Sequence, residues 1–385
     1  MKLPNRPPGV AVSHSALTIG VDASRTLPAH RTGTEQYSAA LLRALMRTPN
    51  AHRWRLYAPG PPPDDLLPLP DGWEWRVMPF PRLWTHLRLS AEVLRHAPDV
   101  LFVPAHVVPL VHPRRTVVTV HDLGYLHFPE AHRARDRRYL DRSTCWSARA
   151  AHRVIAISRA TRDDLVQQLH IPAEKIAVIA HGVNAAMMRP TDADIAATLA
   201  RYDIMPPYVL ALGTVQPRKN LARLVAAFAA MRAAGLPHTL VIVGRAGWLT
   251  DTIHAEVATR GLREHVQFTG YVPDADLPAL YSGADAFAFV SLYEGFGMPA
   301  LEAMACGTPV VAANTSSLPE VVGDAGVLVD PTDVAAIAAS LTRVIADGAL
   351  QARLIAAGRV RAATFTWERC ARETLAVLEA AVRDG

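Results

Sequence analysis

Short runs of Val, Ile, Leu and Ala recur along the chain, and most are followed by an amphipathic helical stretch. Runs such as 238–245 (HTLVIVGR) and 286–291 (AFAFVS) lack the polar alternation of a half-exposed strand. A strand of this kind is covered on both faces, as in a parallel sheet between two layers of helices. The alternation therefore predicts an α/β fold with doubly wound parallel sheets.

The pattern occurs twice. In the first half, strand-like runs lie at 17–23, 52–59, 73–80, 99–105, 115–122 and 153–158, and helices are predicted at 33–47, 87–97, 135–151 and 158–169. In the second half, strands are predicted at 207–214, 238–245, 265–270, 286–291, 308–313 and 325–330, and helices at 220–235, 251–262, 274–284 and 367–382.

A chain of 385 residues is long enough for two domains. We predict a first Rossmann-like domain over 1–185, a linker over 186–206, a second Rossmann-like domain over 207–366 and a final helix within 367–385. Two such domains in tandem form a cleft between the carboxyl edges of their sheets, where ligands of doubly wound folds bind.

Composition favours an intracellular protein. Cys145, Cys306 and Cys370 are far apart and odd in number, which favours neither a disulfide framework nor a zinc site. A reducing cytoplasm is therefore expected. The stretch 1–15 has no apolar segment of signal-peptide length, and no run of about 18 apolar residues occurs that could span a membrane.

The net charge is +5, and much of the excess is arginine between Arg82 and Arg162, notably in 133–142 (RARDRRYLDR). Such a stretch forms either a solvated helix face or a surface that attracts anionic phosphates, lipids or nucleic acid.

The stretch 293–311 (YEGFGMPALEAMACGTPVV) carries two glutamates, Glu294 and Glu302, eight positions apart. Pro299 suits the first position of a helix and Gly307 a left-handed C-cap, so we predict a short helix at about 299–306. Glu294 then lies in the loop, and Glu302 near the first helical turn. A glycine-rich loop before a helix N-terminus favours a bound phosphate.

Two other interpretations of this stretch remain. Residues 295–300 formally match the GxGxxA dinucleotide pattern, although the acidic residue expected after the next strand is missing and Asn314 stands there. The segment is otherwise a structural turn and core helix with incidental acids.

Three further segments carry candidate site residues. In 213–225 (GTVQPRKNLARLV), Gly213 ends a strand, and Arg218 and Lys219 precede a helix, which suits a pyrophosphate. His121 lies at a strand end in 118–123. The segment 31–37 (RTGTEQY) places Gly33 in a turn that opens a helix.

Asp274 and Asp276 resemble a metal-binding DxD pair, but Asp276 fits a helix cap better.

Together these segments resemble the retaining glycosyltransferases of family 4, which have the GT-B architecture. The resemblance is most specific over about 209–322 and includes VIAHGVN (178–184). It implies an acceptor-binding first domain, a nucleotide-sugar-binding second domain and a last helix that crosses back to the first. One departure is Ala180-His181, where many relatives have Pro-Asn.

The resemblance also implies roles for individual residues. Glu294 and Glu302 match the E-x7-E motif, the first near the donor sugar and the second at the ribose. Arg218 and Lys219 match the pair that holds the donor pyrophosphate, and His121 matches a histidine beside the transferred sugar. The remaining implied donor-binding residues are Gly33, Gly213, Gly295, Phe296, Gly297 and Met298. No metal and no cofactor are expected, because the two cations and a helix dipole can neutralise the leaving group.

The segment 121–132 (HDLGYLHFPEAH) resembles bacterial mannosyltransferases and implies GDP-mannose as donor. The acceptor is then a glycan or a lipid-linked precursor of cell-surface polysaccharide, with the protein in the cytoplasm at the inner membrane face. No nucleic-acid partner is expected. The alternatives are a UDP-sugar donor, or a nucleotide-sugar epimerase of the same architecture.

Overall fold

The computed structural model describes residues 16–28, 31, 33–129, 134–247 and 250–384. The stretch 1–15, where we expected no signal peptide, lies outside these residues. So do small parts of the segments 31–37, 121–132 and 133–142 discussed above.

The first half forms a sheet of seven parallel strands in the order β3-β2-β1-β4-β5-β6-β7. Its strands are β1 (Thr18–Asp22), β2 (Arg53–Ala58), β3 (Trp73–Val77), β4 (Val100–Val103), β5 (Thr116–Val120), β6 (Arg153–Ala156) and β7 (Ile176–Val178). Its helices are α1 (Gly33–Arg47), α2 (Ser90–Arg95), α3 (Gly124–His127), α4 (Ala134–Ala150) and α5 (Arg159–Leu169).

The second half forms a sheet of six parallel strands in the order β10-β9-β8-β11-β12-β13. Its strands are β8 (Tyr208–Leu212), β9 (Thr239–Val243), β10 (Val266–Gly270), β11 (Ala286–Phe289), β12 (Val310–Ala313) and β13 (Val327–Val329). The helices here are α6 (Asp192–Arg201), α7 (Leu221–Ala233), α8 (Asp251–Thr259), α9 (Leu277–Ser282), α10 (Met298–Cys306), α11 (Leu318–Val322), α12 (Val334–Ala346) and α13 (Gly348–Ala363), followed by α14 (Trp367–Arg383). The predicted α/β class with two parallel sheets is confirmed.

Both strand orders reverse direction next to the first strand of the sheet, between β1 and β4 and between β8 and β11. Loops that leave the carboxyl ends of these strands diverge and leave a crevice between them. Gly213, Arg218 and Lys219 follow β8, and Glu294 follows β11. The topology therefore brings separate sequence motifs to one edge of the second sheet.

Some elements were not predicted. The segment 186–206, expected to be a linker, contains α6, whose Ile195 and Leu199 are buried against the second sheet's core. β7 has only three residues, which is too short for a periodic signal. The helix expected at 87–97 begins as a π-helical turn at Thr85–Leu89 before α2.

The described part of the chain contains no single helix that is long and apolar enough to cross a membrane. One pair of segments, Val334–Ala346 and Gly348–Arg383, bent by 95° at their junction, meets the length and composition test together. Residues of both segments, such as Leu341 and Leu378, are buried in the protein core.

The last helix, α14, packs on the first domain. Its Leu375, Leu378 and Ala381 are buried with residues of α1 and the first sheet. The turn before the helix lies directly against Gly182, because a Cβ on Gly182 would overlap the backbone of Trp367. This glycine permits the close approach of the two segments.

We expect Gly182→Ala to lower the free energy of unfolding by about 1–3 kcal/mol, because the added methyl group overpacks this contact. Gly348→Ala is the matched control, since no atom lies within 4 Å of its added Cβ. Denaturant titration of both variants measures the difference. Equal stability of the two variants would contradict the close contact.

Candidate active site

A cavity of about 980 Å³ opens between the two sheets. Its lining comes from the first domain, the second domain and the turn before α14. Every residue singled out in the sequence as catalytic or donor-binding lies around it, namely Gly33, His121, Gly213, Arg218, Lys219, Glu294, Gly295, Phe296, Gly297, Met298 and Glu302.

Glu294 forms the charged centre of this cavity. Its Oε1 accepts a hydrogen bond from Lys219 Nζ at 2.6 Å, and its Oε2 accepts one from an Arg218 Nη at 3.1 Å. Burial disfavours the charge on this carboxylate, but Lys219 and Arg218 outweigh burial and hold the pKa of Glu294 at about 2. Glu294 is therefore ionised at neutral pH, and two cations face one anion.

The backbone before α7 positions both cations. Arg218 and Lys219 form a single helical turn that ends at Asn220, which is in the left-handed conformation. The Asn220 side-chain amide donates to the carbonyls of Val290 and Pro331, which fixes this turn against the loop after β11. Gly213 leaves room for the Lys219 side chain, because a Cβ there would lie 2.8 Å from Lys219 Cε.

The loop that carries Glu294 is held by two serines of the segment after β12. The Glu294 N–H donates to Ser316 Oγ, and the Ser317 hydroxyl donates to the carbonyls of Glu294 and Phe296. Gly297, with φ +108°, then begins α10. The helix bounds and the left-handed cap at Gly307 match the sequence prediction to within one residue.

Glu302 lies farther along its helix than the sequence predicted. Because α10 begins at Met298, Glu302 is its fifth residue and stands beyond the first turn. Its Oε2 accepts a hydrogen bond from the Tyr281 hydroxyl at 3.0 Å. Burial raises the pKa of Glu302 to about 7, so its charge state changes near neutral pH.

The residue before Glu294 joins the two domains. The Tyr293 hydroxyl donates to Asp164 Oδ2 at 2.7 Å and accepts from the Leu123 N–H at 3.3 Å. Its ring stacks on His127, with centroids 4.6 Å apart. The Tyr293 carbonyl also accepts from Arg218. The loop that bears the central carboxylate is thus attached to the first domain.

Two buried histidines face the cavity from the first domain. His121 is hydrogen-bonded through Nε2 to the Pro104 carbonyl at 2.9 Å, and burial lowers its pKa to about 4. His181 packs among Tyr37, Phe296 and Trp367, and burial lowers its pKa well below the usual value. Both imidazoles are therefore neutral at neutral pH.

The His181 Nε2 atom is buried and has no hydrogen-bond partner in the described part of the protein. Buried polar atoms are nearly always paired. His181 lines the cavity, but this nitrogen is itself enclosed by protein.

Comparison with known families agrees with this geometry. The family described as Glycosyltransferase Family 4 matches residues 31–186, and the one described as glycosyl transferases group 1 matches residues 200–361. The two matches fall on the two halves of the cavity and together span most of the chain. The chain therefore carries both of these glycosyltransferase domains, one after the other.

Curated and solved relatives agree with these domain matches. This glycosyltransferase is 34% identical to O-antigen chain mannosyltransferase B of Escherichia coli over 227 residues, which are 58% of this chain and 59% of that protein. It thus matches less than two thirds of that relative's length.

Solved structures share the GT-B fold of this glycosyltransferase. Sucrose-phosphate synthase from Thermosynechococcus elongatus superposes with a TM-score of 0.75 at 23% identity, covering 96% of this chain and all of that chain. HepE of Anabaena, solved with UDP and glucose, gives a TM-score of 0.72 at 21% identity, covering 94% of this chain and all of that chain.

Sequence reasoning missed two residues of this glycosyltransferase's site. Tyr293 directly precedes the first motif glutamate, yet its partner Asp164 is 129 positions away and no local pattern connects them. The sequence showed His181 only as part of a departure from the family's Pro-Asn. The aromatic contacts of His181 and its unpaired nitrogen give it a place in the cavity wall instead.

The pKa of Glu302 predicts a pH dependence of nucleotide binding. Its folded-state pKa of about 7 makes it mostly protonated at pH 6 and ionised at pH 8, whereas Glu294 and His121, with pKa values of about 2 and about 4, keep one state over this range. Hydrogen bonds to an ionised carboxylate are stronger than those to a neutral one.

The family resemblance places Glu302 at the ribose of the donor. On that basis we expect the Kd for a sugar nucleotide, whose diphosphate keeps one charge state between pH 6 and pH 8, to fall about fivefold over this range in the wild type. Glu302→Gln should bind with the weaker affinity at both pH values. Calorimetric titration provides the measurement. An unchanged pH dependence in the variant would show that another group is responsible.

Proposed function

We propose that the protein is a retaining mannosyltransferase that moves mannose from GDP-mannose to a glycan or lipid-linked acceptor in cell-surface polysaccharide synthesis. The observation that carries this proposal is the Arg218–Glu294–Lys219 cluster, which lies opposite His121 in the interdomain cavity. Mannose as the sugar is supported by the E. coli relative, whose name is O-antigen chain mannosyltransferase B.

The site chemistry suits departure of a nucleoside diphosphate. Arg218 offers a planar fork and Lys219 a point charge to a pyrophosphate whose negative charge grows as the sugar leaves. In this proposal the two cations act without a metal ion. Within the described residues, no group of three His, Cys, Asp or Glu side chains is arranged to bind one.

Retention of configuration follows in this proposal from attack on the face that the diphosphate leaves. The acceptor hydroxyl forms the new bond to the anomeric carbon as the bond to the donor phosphate breaks, and a phosphate oxygen takes the acceptor's proton. Glu294 stabilises the developing positive charge of the sugar. The alternative is covalent attack by Glu294. In either case the hydrogen bonds from Lys219 and Arg218 hold its carboxylate in place.

A thermal-shift screen with GDP-mannose, UDP-sugars and NAD(P), followed by product analysis, tests the function. We expect the largest stabilisation with GDP-mannose, and an α-linked product only when acceptor is present. A larger shift with a UDP-sugar would identify a UDP-sugar, and not GDP-mannose, as the donor. The structurally similar HepE of Anabaena was solved with UDP. Release of free sugar or nucleotide without acceptor would indicate an epimerase, and stabilisation by NAD(P) alone would contradict the proposal.

Glu294→Gln tests the central carboxylate. The variant keeps the shape of the side chain but leaves Arg218 and Lys219 without their anion, so we expect kcat to fall by about 100-fold or more while nucleotide binding persists. GDP should stabilise the variant more than the wild type, because the diphosphate restores the missing negative charge. Glu264→Gln, at an exposed position, is the control. Full transfer by Glu294→Gln would remove this residue from the mechanism.

We also propose that the first domain docks on an anionic membrane surface. Leu83, Leu87, Leu94 and Leu110 are between 50% and 71% exposed. They lie near one another, because the Val111 N–H beside Leu110 donates to Ser90 at the start of α2. Exposed arginines stand next to or near these leucines in the sequence, namely Arg82, Arg95 and Arg114. Exposed apolar side chains with cations close by suit a surface of anionic lipids.

Vesicle sedimentation at low salt tests this surface. The wild type should sediment with phosphatidylglycerol vesicles and much less with phosphatidylcholine vesicles. Combined Leu83→Ser and Leu87→Ser should reduce sedimentation severalfold, whereas Val360→Ser, which removes an equally exposed apolar residue from α13, should not. Absence of binding to anionic vesicles at low salt would refute the proposal.

A further inference from the structure

The cavity has a basic extension that the donor chemistry does not use. Besides the donor residues, it is lined by one face of α1, through Gln36, Ala40, Arg43, Ala44 and Arg47. These positions follow helical spacing, so the groove runs along the length of α1. At about 1.5 Å per residue, Arg43 and Arg47 stand roughly 15 and 21 Å along the helix axis from Gly33.

Three arginines cluster at this end of the groove around one acid. Arg31 makes two hydrogen bonds to the Asp65 carboxylate, at 2.5 and 2.8 Å, and Arg43 makes a third at 2.5 Å. Arg47 follows Arg43 by four positions, about one helical turn, so both guanidinium groups extend from the same face of α1. Arg47 is exposed, and no described residue forms an ion pair with it.

The charges at this end do not balance. Arg31 and Arg43 share Asp65, and Glu368 is a further acid on the cavity wall. Even with both acids counted, one positive charge remains, and Arg47 meets neither carboxylate. Guanidinium groups held in this way present paired N–H donors to a phosphate.

The donor diphosphate has its own cations, because Arg218 and Lys219 lie on the second domain near Gly213. Arg43 and Arg47 belong to the first domain and lie far along α1 from Gly33, and Arg31, just before the helix, reaches the same acid as Arg43. The small side chains of Ala40 and Ala44 leave the groove open between the two ends. A substrate other than the donor therefore fits this groove.

We propose that the groove along α1 binds an extended acceptor and that Arg43 and Arg47, with Arg31, hold a phosphate or diphosphate group carried by that acceptor. The inference rests on the proposed glycosyl transfer and specifies its acceptor as an anionic, phosphate-bearing chain. Gln36, between the two ends, is placed to hydrogen-bond sugar hydroxyls.

Direct binding separates this site from the donor site without requiring catalysis. The probes are alkyl diphosphate mannose and the alkyl mannoside that lacks phosphate, each titrated calorimetrically against the full-length chain. The variants are Arg47→Gln, whose side chain forms no ion pair with a described residue, and the double variant Arg43→Gln/Arg47→Gln. Arg353→Gln, at an exposed position of α13 outside the cavity lining, is the charge-matched control.

The wild type should bind the diphosphate probe at least about tenfold more tightly than the neutral probe, which corresponds to one or two charge-assisted hydrogen bonds. Arg47→Gln should reduce this preference severalfold, the double variant should nearly remove it, and Arg353→Gln should keep it. Equal binding of both probes by the wild type would overturn the inference. So would a preference that is lost in Lys219→Gln but retained in the arginine variants, since the probe would then occupy the donor site.

Two further readouts separate the possible sources of phosphate and the two proposals. If the arginines recognise lipid headgroups instead, the double variant will lose sedimentation with phosphatidylglycerol vesicles while keeping its preference for the soluble diphosphate probe, and the inference fails. If the preference behaves as expected but no sugar is transferred from any sugar nucleotide, the proposed function fails while the anion site stands.

Discussion

The site depends on one carboxylate placed between two cations. Glu294 comes from the loop after β11, whereas Arg218 and Lys219 come from the turn after β8. In the interior, two neighbouring cations without an anion would repel each other and lose hydration. Glu294 removes that cost in the empty protein, and a diphosphate can take over part of its role when donor binds. The adjacent order of β8 and β11 in the sheet is what makes the three-residue cluster possible.

Much of the architecture could be predicted because its signals are local. All-apolar strands bounded by glycine indicate a parallel sheet wherever they occur, and Pro299 and Gly307 predicted both ends of α10. The elements that were missed have weak local signals. α13 is rich in alanine, which blurs the contrast between its buried and exposed faces, and α6 packs on a domain core where a connection was expected.

The site was predictable as a set of residues but not as a set of interactions. Motif spacing singled out the residues that line the cavity, and their roles in binding and catalysis stay predictions. The contacts that join the domains depend on how two separately folded units meet, and no sequence period encodes that arrangement. Tyr293 with Asp164, and Gly295 against the backbone of His121, are of this kind. The unpaired Nε2 of His181 could not be predicted for the same reason, because the ring is enclosed only when α14 and Phe296 pack against it.

The attachment of Tyr293 to the first domain also affects the side reaction in which water, in place of the acceptor, attacks the donor. Two-lobed proteins admit ligands by rotating their domains apart. Here such a rotation would break the Tyr293–Asp164 hydrogen bond and loosen the loop that aligns Glu294 and Arg218. Water has its freest access when the lobes are apart, which is when the groups that activate the donor are no longer aligned. If the protein transfers sugar as proposed, this coupling protects the donor from hydrolysis until both domains enclose it.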